Sequence, residues 1–259
     1  MRSFSILCFS FFLATSTILA QCKQEPLVIG TSICIYSQTL KEDRTIFILL
    51  PEGYDTIASL PVLYLPDPEW NLKHVFGTVQ YLSTAQKIPP MIIVGIANTD
   101  RIRDLTPYAT SEFKQGGGAN NFLTFITKEL APYIEKYYKV SGKNILCGAS
   151  LGGIFSFYTL LNGSNLFDAY FAISPSLWYA EGKILKDFEA FKGDFKVNKL
   201  LYITLANEKG MRVNQFIKQL RRKNIVGLKW KYERHLEETH STIGHESVFD
   251  GLKWMFENK

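Results

Sequence analysis

The sequence has few of the residues that build disulfide frameworks or metal centres. Its 259 residues include four cysteines and four histidines, and it contains no Cys-x-x-Cys pair. Zinc modules and disulfide scaffolds need such spacings, so neither is expected, and no metal or other cofactor is predicted. Internal repeats, low-complexity tracts and linker-like segments are also missing. The chain is therefore expected to form one domain of ordinary globular composition.

A strong imbalance of charge is missing too. The chain has 29 Lys and Arg residues against 24 Asp and Glu residues, and the excess is scattered. The densest basic cluster, residues 218–223, falls at the end of a predicted helix, where cations offset the helix dipole. A nucleic-acid surface would need a basic stripe with interleaved aromatic residues. No nucleic-acid partner is therefore predicted, and the pattern predicts no particular oligomeric state.

The apolar run that opens the chain is too short to span a membrane comfortably. It covers residues 4–13, follows Met1 and Arg2, and precedes several small residues. This order of charge, apolar run and small residues is typical of a secretory signal peptide. We therefore predict a signal peptide over 1–20, a secreted or periplasmic mature chain over 21–259, and no integral membrane span.

The three cysteines after the predicted signal peptide differ in their expected chemical state. Cys22 could carry a lipid, but Gln21 fits poorly at the position before a lipidated cysteine, where a small residue is needed, so a soluble exported protein is favoured. Cys22 and Cys34 could instead pair in an oxidising compartment. Cys147 falls in a predicted strand and is expected to be a packed thiol.

The strongest signal in the sequence is the stretch KNILCGASLGGIFSFYTLL over residues 143–161. The apolar run Ile145–Cys147 predicts a buried strand, and the apolar segment after Ser150 predicts a core helix. Between them lies Gly-Ala-Ser-Leu-Gly, the G-x-S-x-G nucleophile elbow in its strand-turn-helix context. Such a turn is strained, and its two glycines are expected to avoid a clash with each other. Ser150 is therefore the predicted nucleophile.

Alternating apolar and amphipathic segments predict an α/β protein whose mostly parallel sheet has helices on both faces. Residues 98–118 form a long polar loop, which is expected to be functional or mobile. Strands are predicted at 28–36, 44–50, 61–65, 91–97, 145–147, 169–173, 200–206 and 228–236. Helices are predicted at 71–86 (capped by Asn71), through 122–137 (kinked by Pro132), after Ser150, at 211–222 and at 247–257.

The partners of Ser150 should lie in loops at the carboxyl ends of the strands, where sites form in parallel sheets. In nucleophile-elbow enzymes the acid and then the histidine follow the serine along the chain. His74 precedes the serine, and His235 lies within a predicted strand, where a surface position is expected. His240 lies in the loop after that strand and is the favoured general base. His245 begins the last helix, where a capping or surface role is expected.

Three further parts are predicted from position. Glu208 lies in the loop at the end of the strand 200–206, after Asn207, and is the predicted acid, with a solvent-facing loop carboxylate as the alternative. The Leu151 N–H begins a helix and is the first predicted oxyanion donor. The second donor should come from the loop 66–70, where two prolines lack an N–H. The residues of this loop that keep an N–H are Asp67, Glu69 and Trp70.

These segments together resemble the putative-esterase family of α/β hydrolases. This family includes trilactone siderophore esterases, feruloyl and acetylxylan esterases, esterase D and the mycolyltransferases. The resemblance extends over residues 44–256, and the exported siderophore-esterase branch is the most similar. The segments that carry it, in the order of the chain, are PVLYLPDPEW, IPPMIIVGIANTDRIRDLTP, GGGANNFLTFITKELAPYIEKYY, GASLGG, SPSLWY, and ETHS with the later FDGLKWMF.

The resemblance implies an α/β-hydrolase fold with Ser150 as nucleophile and His240 as base. It leaves the role of Glu208 open, because some siderophore esterases are thought to use serine and histidine alone. Family members usually have Asp-Gly where this chain has Asp67-Pro68. By analogy with esterase D, the second oxyanion donor is then the N–H of Glu69.

The function expected on these grounds is an exported serine esterase without a cofactor. Its substrate is expected to be a small-molecule ester, such as a siderophore trilactone or a plant-wall carbohydrate ester. The alternatives are an acyltransferase with the same triad and a catalytically silent binding protein. Trp70, Arg101 and Trp178 are candidates for the substrate wall, although each could instead pack the loops, and Arg101 could anchor its loop by pairing with Asp104.

Overall fold

A computed structural model describes residues 25–162, 165–195 and 197–257. The predicted signal peptide and Cys22 lie outside these residues, so the structure tests neither. The described part contains an eight-stranded sheet with the order β1-β2-β4-β3-β5-β6-β7-β8. The two pairs that involve β2 are antiparallel, and all the others are parallel. With helices on both faces, this sheet confirms the predicted α/β-hydrolase fold.

Every predicted strand is present, although β5 is longer than the predicted 145–147 and begins at Val140. The strands are β1 (Thr31–Ser37), β2 (Glu42–Leu49), β3 (Leu60–Pro66), β4 (Ile92–Ile96), β5 (Val140–Ala149), β6 (Ala169–Ile173), β7 (Lys199–Ala206) and β8 (Leu228–His235). The helices are α1 (Pro68–Thr84), α2 (Arg101–Leu105), α3 (Ala119–Phe125), α4 (Ala131–Tyr137), α5 (Leu151–Leu161), α6 (Tyr179–Ala190), α7 (Val213–Lys223) and α8 (Gly244–Glu257). A π-helical turn, Ile126–Leu130, joins α3 to α4 just before Pro132.

Two apolar cores lie on opposite faces of the sheet. On β3, Val62 and Tyr64 face the core under α3 to α7, whereas Leu63 and Leu65 face the core under α1 and α8. This alternation is the period of two that strands impose on their side chains. Cys147 faces the second core as a buried free thiol, as predicted, and its burial raises the pKa of the thiol to about 12. Cys34 is an exposed free cysteine.

Helix α1 begins earlier than predicted. Pro68 is its first residue and Asp67 is the N-cap, with φ 57° in the left-handed region. Proline suits the first helical position, since it lacks only an N–H that would have no helical partner there. Asn71, the predicted cap, lies inside the helix instead, and its side-chain amide donates to the carbonyl of Asp67 (3.0 Å). Helix α6 has no counterpart among the predicted helices.

The predicted loop 98–118 is anchored by buried charges and contains the short helix α2. Arg44, whose side chain is fully buried, donates to Asp104 (2.6 Å), to Glu42 (2.7 Å) and to the carbonyl of Ala97 (3.2 Å). Arg103 also binds both carboxylates. Burying these charges is favourable only as a paired set. The network therefore fixes the loop to the start of β2.

No helix within the described ranges is both long and apolar enough to cross a bilayer.

Replacing Arg44 with Met should destabilise the fold by about 3 kcal/mol, because buried Asp104 would lose its closest cation. The matched control is Arg222→Met, which removes an exposed pair with Glu189 and should cost less than about 1 kcal/mol. Urea unfolding followed by circular dichroism measures both. Equal losses in the two variants would contradict the anchoring role of Arg44.

Candidate active site

Ser150 lies on a strained turn between β5 and α5. Its backbone has φ 57° and ψ −115°, a combination that residues other than glycine seldom adopt. The Ser150 N–H donates to the carbonyl of Ile173 (2.9 Å), and the Ser150 carbonyl accepts from the Ser176 N–H (3.1 Å). The end of β6 and the loop that follows it therefore hold the turn in place.

The glycines around Ser150 have different reasons to be there. A Cβ on Gly148 would lie 2.0 Å from the carbonyl oxygen of Gly152, so no side chain is possible at that position. A Cβ on Gly152 would lie 3.6 Å from Asp67, which is an ordinary contact. The expectation that both glycines of the motif avoid a mutual clash is therefore wrong for Gly152. The third glycine is tighter, since a Cβ on Gly153 would lie 3.0 Å from Pro175.

The structure brings Ser150, His240 and Glu208 together in one line of hydrogen bonds. His240 Nε2 lies 2.9 Å from Ser150 Oγ, and His240 Nδ1 lies 2.9 Å from Glu208 Oε2. The Glu208 side chain is 16% exposed and binds the histidine rather than facing solvent. The loops of the base and the acid are also joined directly, because the Asn207 N–H donates to the carbonyl of Glu238 (2.9 Å).

Two serines that the sequence analysis did not single out also contact this line. Ser174 Oγ donates to Glu208 Oε1 and accepts from the Ala206 N–H (3.1 Å). Ser176 Oγ lies 3.2 Å from Ser150 Oγ. Both serines follow β6, at the carboxyl ends of the strands, where the partners of Ser150 were expected. No motif marks them, so only the loop position within SPSLWY pointed to this region.

Helices α1 and α8 each contribute a histidine, His74 and His245, to the lining of the cavity beside Ser150. His74 Nε2 lies 3.2 Å from Asn71 Oδ1, and His245 Nδ1 lies 3.3 Å from Thr78 Oγ1. The two rings are 6.2 Å apart and nearly perpendicular. Burial, with a smaller contribution from His245, lowers the pKa of His74 from its usual 6.5 to about 4. His74 is therefore neutral in the folded protein at neutral pH.

His235 is not on the surface, which corrects the prediction for it. Its side chain is 10% exposed, Nδ1 lies 3.1 Å from Glu246, and Nε2 is buried without a hydrogen-bond partner. In the described part of the chain, one group of possible metal ligands comes together, formed by Glu233, His235 and Asp250 with ligand atoms within 4.8 Å. Glu233 already binds Lys231 (2.6 Å). None of these residues lines the cavity at Ser150.

The predicted oxyanion donors lie in the first turns of two neighbouring helices. Leu151 begins α5 and Glu69 is the second residue of α1, and amides at these positions have no acceptor within their own helix. Strands β3 and β5, which precede the two helices, are adjacent and parallel. The Trp70 N–H donates to the carbonyl of Asp67 (3.3 Å), so the geometry favours Glu69 over Trp70.

Arg101 pairs with Asp67 and not with Asp104, the partner considered from the sequence. Its Nε and Nη2 atoms each lie 2.8 Å from one carboxylate oxygen of Asp67. Asp104 is already bound by other arginines, which explains the difference. The Arg101 guanidinium also lies 5.2 Å from the ring centre of Trp70. Arg101 therefore holds Trp70 and the N-cap of α1 in place.

A cavity of about 360 Å³ opens beside Ser150. The residues that line it come mainly from the start of α1 and from the loop between β8 and α8, namely Trp70, Asn71, His74, Ala149, Ser150, Ile173, Ser174, His240, Ser241, Thr242, Ile243, Gly244 and His245. Trp70 is 68% exposed at its rim. Arg101 and Trp178 are not among the lining residues, although Trp178 is 41% exposed.

The mostly parallel sheet, with a strained serine turn between its central strand β5 and helix α5, defines the chain as an α/β hydrolase. The chain belongs to the Putative esterase family, whose model matches residues 37–214.

Known proteins resemble this chain along much of its length. The ferri-bacillibactin esterase BesA of Bacillus subtilis is 34% identical over 196 residues, which cover 65% of this chain and 66% of that one, just under two thirds. The crystal structure of an IroE-like serine hydrolase from Shewanella oneidensis has a TM-score of 0.84 and 36% identity, and covers 88% of this chain and 80% of that one. The BES protein of Bacillus cereus has a TM-score of 0.81 and 27% identity, with coverages of 91% and 97%.

The low pKa of His74 makes a prediction about stability and pH. The unfolded chain binds a proton at this histidine near pH 6.5, whereas the folded protein binds it only near pH 4. Stability should therefore fall as the pH falls from about 7 to 4. In His74→Gln this contribution is lost, so urea unfolding at pH 7 and pH 5 should show a smaller acid-induced decrease than in the wild type. An identical decrease in both proteins would contradict the assignment.

Proposed function

We propose that the chain is a serine esterase that hydrolyses carboxylic esters through an acyl-enzyme on Ser150. The observation that carries this proposal is the line of hydrogen bonds from Glu208 through His240 to Ser150, built on a strained nucleophile turn. Membership of the Putative esterase family supports it. We also propose that residues 1–20 are removed on export and that 21–259 form one secreted or periplasmic domain.

Acylation begins when Ser150 Oγ attacks the ester carbonyl carbon. His240 Nε2 takes the serine proton, and Glu208, which accepts from Nδ1, stabilises the imidazolium that forms. His240 then gives this proton to the oxygen of the departing alcohol as the C–O bond breaks. In the second half of the reaction, water attacks the acyl group in the same way. The carboxylic acid leaves and the Ser150 hydroxyl is restored.

The negative charge that develops on the carbonyl oxygen needs fixed donors. We assign them to the N–H groups of Leu151 and Glu69, which lie in the first turns of α5 and α1. These amides belong to helix N-termini, so the helix dipoles favour a negative charge at the same place. One such donor is typically worth about 10² to 10³ in kcat. Asp67 is the N-cap of α1 and is paired with Arg101. This ion pair therefore also fixes the position of the Glu69 N–H, the second donor.

The substrate that the relatives favour is a siderophore ester. BesA is named as a ferri-bacillibactin esterase, which favours this class over a plant-wall carbohydrate ester. The cavity of about 360 Å³ is at the small end of ligand pockets. We propose that it holds one arm of a larger ester, while the exposed ring of Trp70 packs against an aromatic acyl group at the rim.

A comparison of substrates tests this choice. We expect the highest kcat/KM for a catecholate trilactone, with or without bound iron, and lower values for methyl ferulate and acetylated xylan. Trp70→Ala should raise KM for the catecholate ester while leaving turnover of p-nitrophenyl acetate nearly unchanged. A preference for the xylan ester would overturn the substrate class without affecting the esterase mechanism.

Two other functions use the same fold, namely acyl transfer to an alcohol and ligand binding without catalysis. A fluorophosphonate probe should label the wild-type protein, whereas a silent binding protein would stay unlabelled. Adding an acceptor alcohol to an ester assay should leave the carboxylic acid as the main product. A predominant new ester would instead identify an acyltransferase.

Replacing Ser150 with Ala should reduce kcat by about 10⁴-fold or more while the protein remains folded, since the nucleophile is lost. Turnover of p-nitrophenyl acetate measures the effect. The matched control is Ser247→Ala, which removes a buried hydroxyl bound to Thr204 and away from the cavity, and it should keep normal turnover. Near-normal activity of folded Ser150→Ala would exclude this serine as the nucleophile.

Replacing Glu208 with Gln separates a triad from a Ser–His dyad. The amide keeps the volume but loses the charge and favours the wrong tautomer of His240, so kcat/KM should fall by more than about 100-fold. The loss is measured with p-nitrophenyl acetate at pH 7. A Glu208→Gln enzyme that keeps most of its kcat/KM would mean that His240 works without the carboxylate.

A further inference from the structure

The tripeptide Ser174-Pro175-Ser176 contacts both ends of the line formed by Glu208, His240 and Ser150. It follows β6, and its two hydroxyl groups reach Glu208 and Ser150 respectively. Neither serine is the nucleophile, the base or the acid of the proposed reaction. We refer to residues 174–176 as the serine brace.

The direction of each hydrogen bond can be assigned from one end of the line to the other. The Ala206 N–H can only donate, so it occupies a lone pair of Ser174 Oγ and leaves the Ser174 hydroxyl to donate to Glu208. Glu208 as a carboxylate can only accept, so in the neutral ring that the proposed base requires, His240 Nδ1 carries the proton and Nε2 is an acceptor. Ser150 then donates to Nε2.

This assignment leaves one role for Ser176. The single proton of the Ser150 hydroxyl is directed at His240, so the contact of 3.2 Å between the two serine oxygens requires the Ser176 hydroxyl to donate to Ser150 Oγ. The three side chains of the line and the brace therefore form a closed ring. In that ring Ser150 is held in the orientation that delivers its proton to the base.

The brace is itself held rigidly. The Ser174 N–H donates to the carbonyl of Thr204 (3.1 Å), and the Ser176 N–H donates to the carbonyl of Ser150 (3.1 Å). Pro175 packs so closely on α5 that a Cβ on Gly153 would lie 3.0 Å away. Ser174 has φ 38°, in the left-handed region, and both serines are buried. A strained, buried segment whose two hydroxyl groups both contact the site fits a positioning role.

We infer that the serine brace positions the acid and the nucleophile as one unit, with Ser174 acting through Glu208 and Ser176 acting directly on Ser150 Oγ. This inference rests on the proposed esterase mechanism and adds two residues to it. It accounts for the paired serines and for the third glycine of the elbow, which the nucleophile turn alone does not require.

A double-mutant cycle tests the role of Ser174. Ser174→Ala should lower kcat/KM for p-nitrophenyl acetate by about tenfold, the effect of losing a hydrogen bond to a charged group. In a protein that already carries Glu208→Gln, the same change should cost less than about twofold, because Ser174 acts only through that carboxylate. Equal losses in both backgrounds, or no loss in the single variant, would overturn the inference.

Ser174→Gly distinguishes positioning from folding. Glycine tolerates the positive φ but leaves the buried Ala206 N–H without this acceptor, so the variant should unfold at a somewhat lower urea concentration than the wild type. It should still be fully folded without urea and lose about tenfold in kcat/KM. Full activity would overturn the role of the hydroxyl. Loss of activity only in proportion to loss of folded protein would do the same.

Ser176→Ala tests the other end of the brace. The rate of fluorophosphonate labelling at Ser150 should fall about fivefold, as expected for one neutral hydrogen bond, while KM stays unchanged. Ser247→Ala is the matched control and should label at the wild-type rate. Labelling of Ser176→Ala at the wild-type rate would overturn the inference and leave the esterase proposal intact. No labelling of the wild type would instead contradict the proposed function itself.

Discussion

The backbone conformation of Ser150 is the constraint on which the rest of the site depends. A residue with a side chain is held at φ 57° at the junction of β5 and α5, so its surroundings must stabilise a conformation that the chain would not choose alone. Gly148 allows the close approach of α5, and Ile173 and Ser176 supply the hydrogen bonds. If this turn relaxed, Ser150 would lose its alignment with His240 even though every side chain were still present.

The sheet distributes the parts of the site over adjacent strands. β5, β6, β7 and β8 are neighbours in that order, and they are followed in turn by Ser150, the serine brace, Glu208 and His240. The proposed oxyanion donors belong to the helices after β3 and β5, and these two strands are also neighbours. Each strand is hydrogen-bonded to the next, so the sheet fixes the distances between groups that are far apart in sequence. A rigid support of this kind is what a precisely aligned site requires.

Local patterns were enough to predict the sheet, the nucleophile turn and the order of the partners. The apolar runs marked the strands, the G-x-S-x-G motif marked Ser150, and loop position with chain order selected His240 and Glu208. The structure brings all three together, and their catalytic roles remain predictions that the proposed experiments test. The fold could be predicted because hydrophobic periodicity is a property of each segment by itself.

What the sequence could not predict depends on pairings between distant segments. Arg101 is three residues from Asp104, yet it binds Asp67, because Asp104 is occupied by Arg44 of β2. The contacts of Ser174 and Ser176 with the site form only because the loop after β6 lies against the ends of β5 and β7. The start of α1 at Pro68 likewise depends on the left-handed conformation of Asp67, whose carboxylate binds the distant Arg101. None of these contacts leaves a periodic trace in the sequence.

The measurement that tests the central claim most directly is the mass of the protein during turnover of a slow ester. Rapid acid quenching followed by intact mass spectrometry should show the chain enlarged by the acyl group, and peptide mapping should place that group on Ser150. When turnover is carried out in ¹⁸O-labelled water, the released acid should contain one ¹⁸O atom. An unmodified chain throughout turnover, or an acyl group on any other residue, would contradict the account.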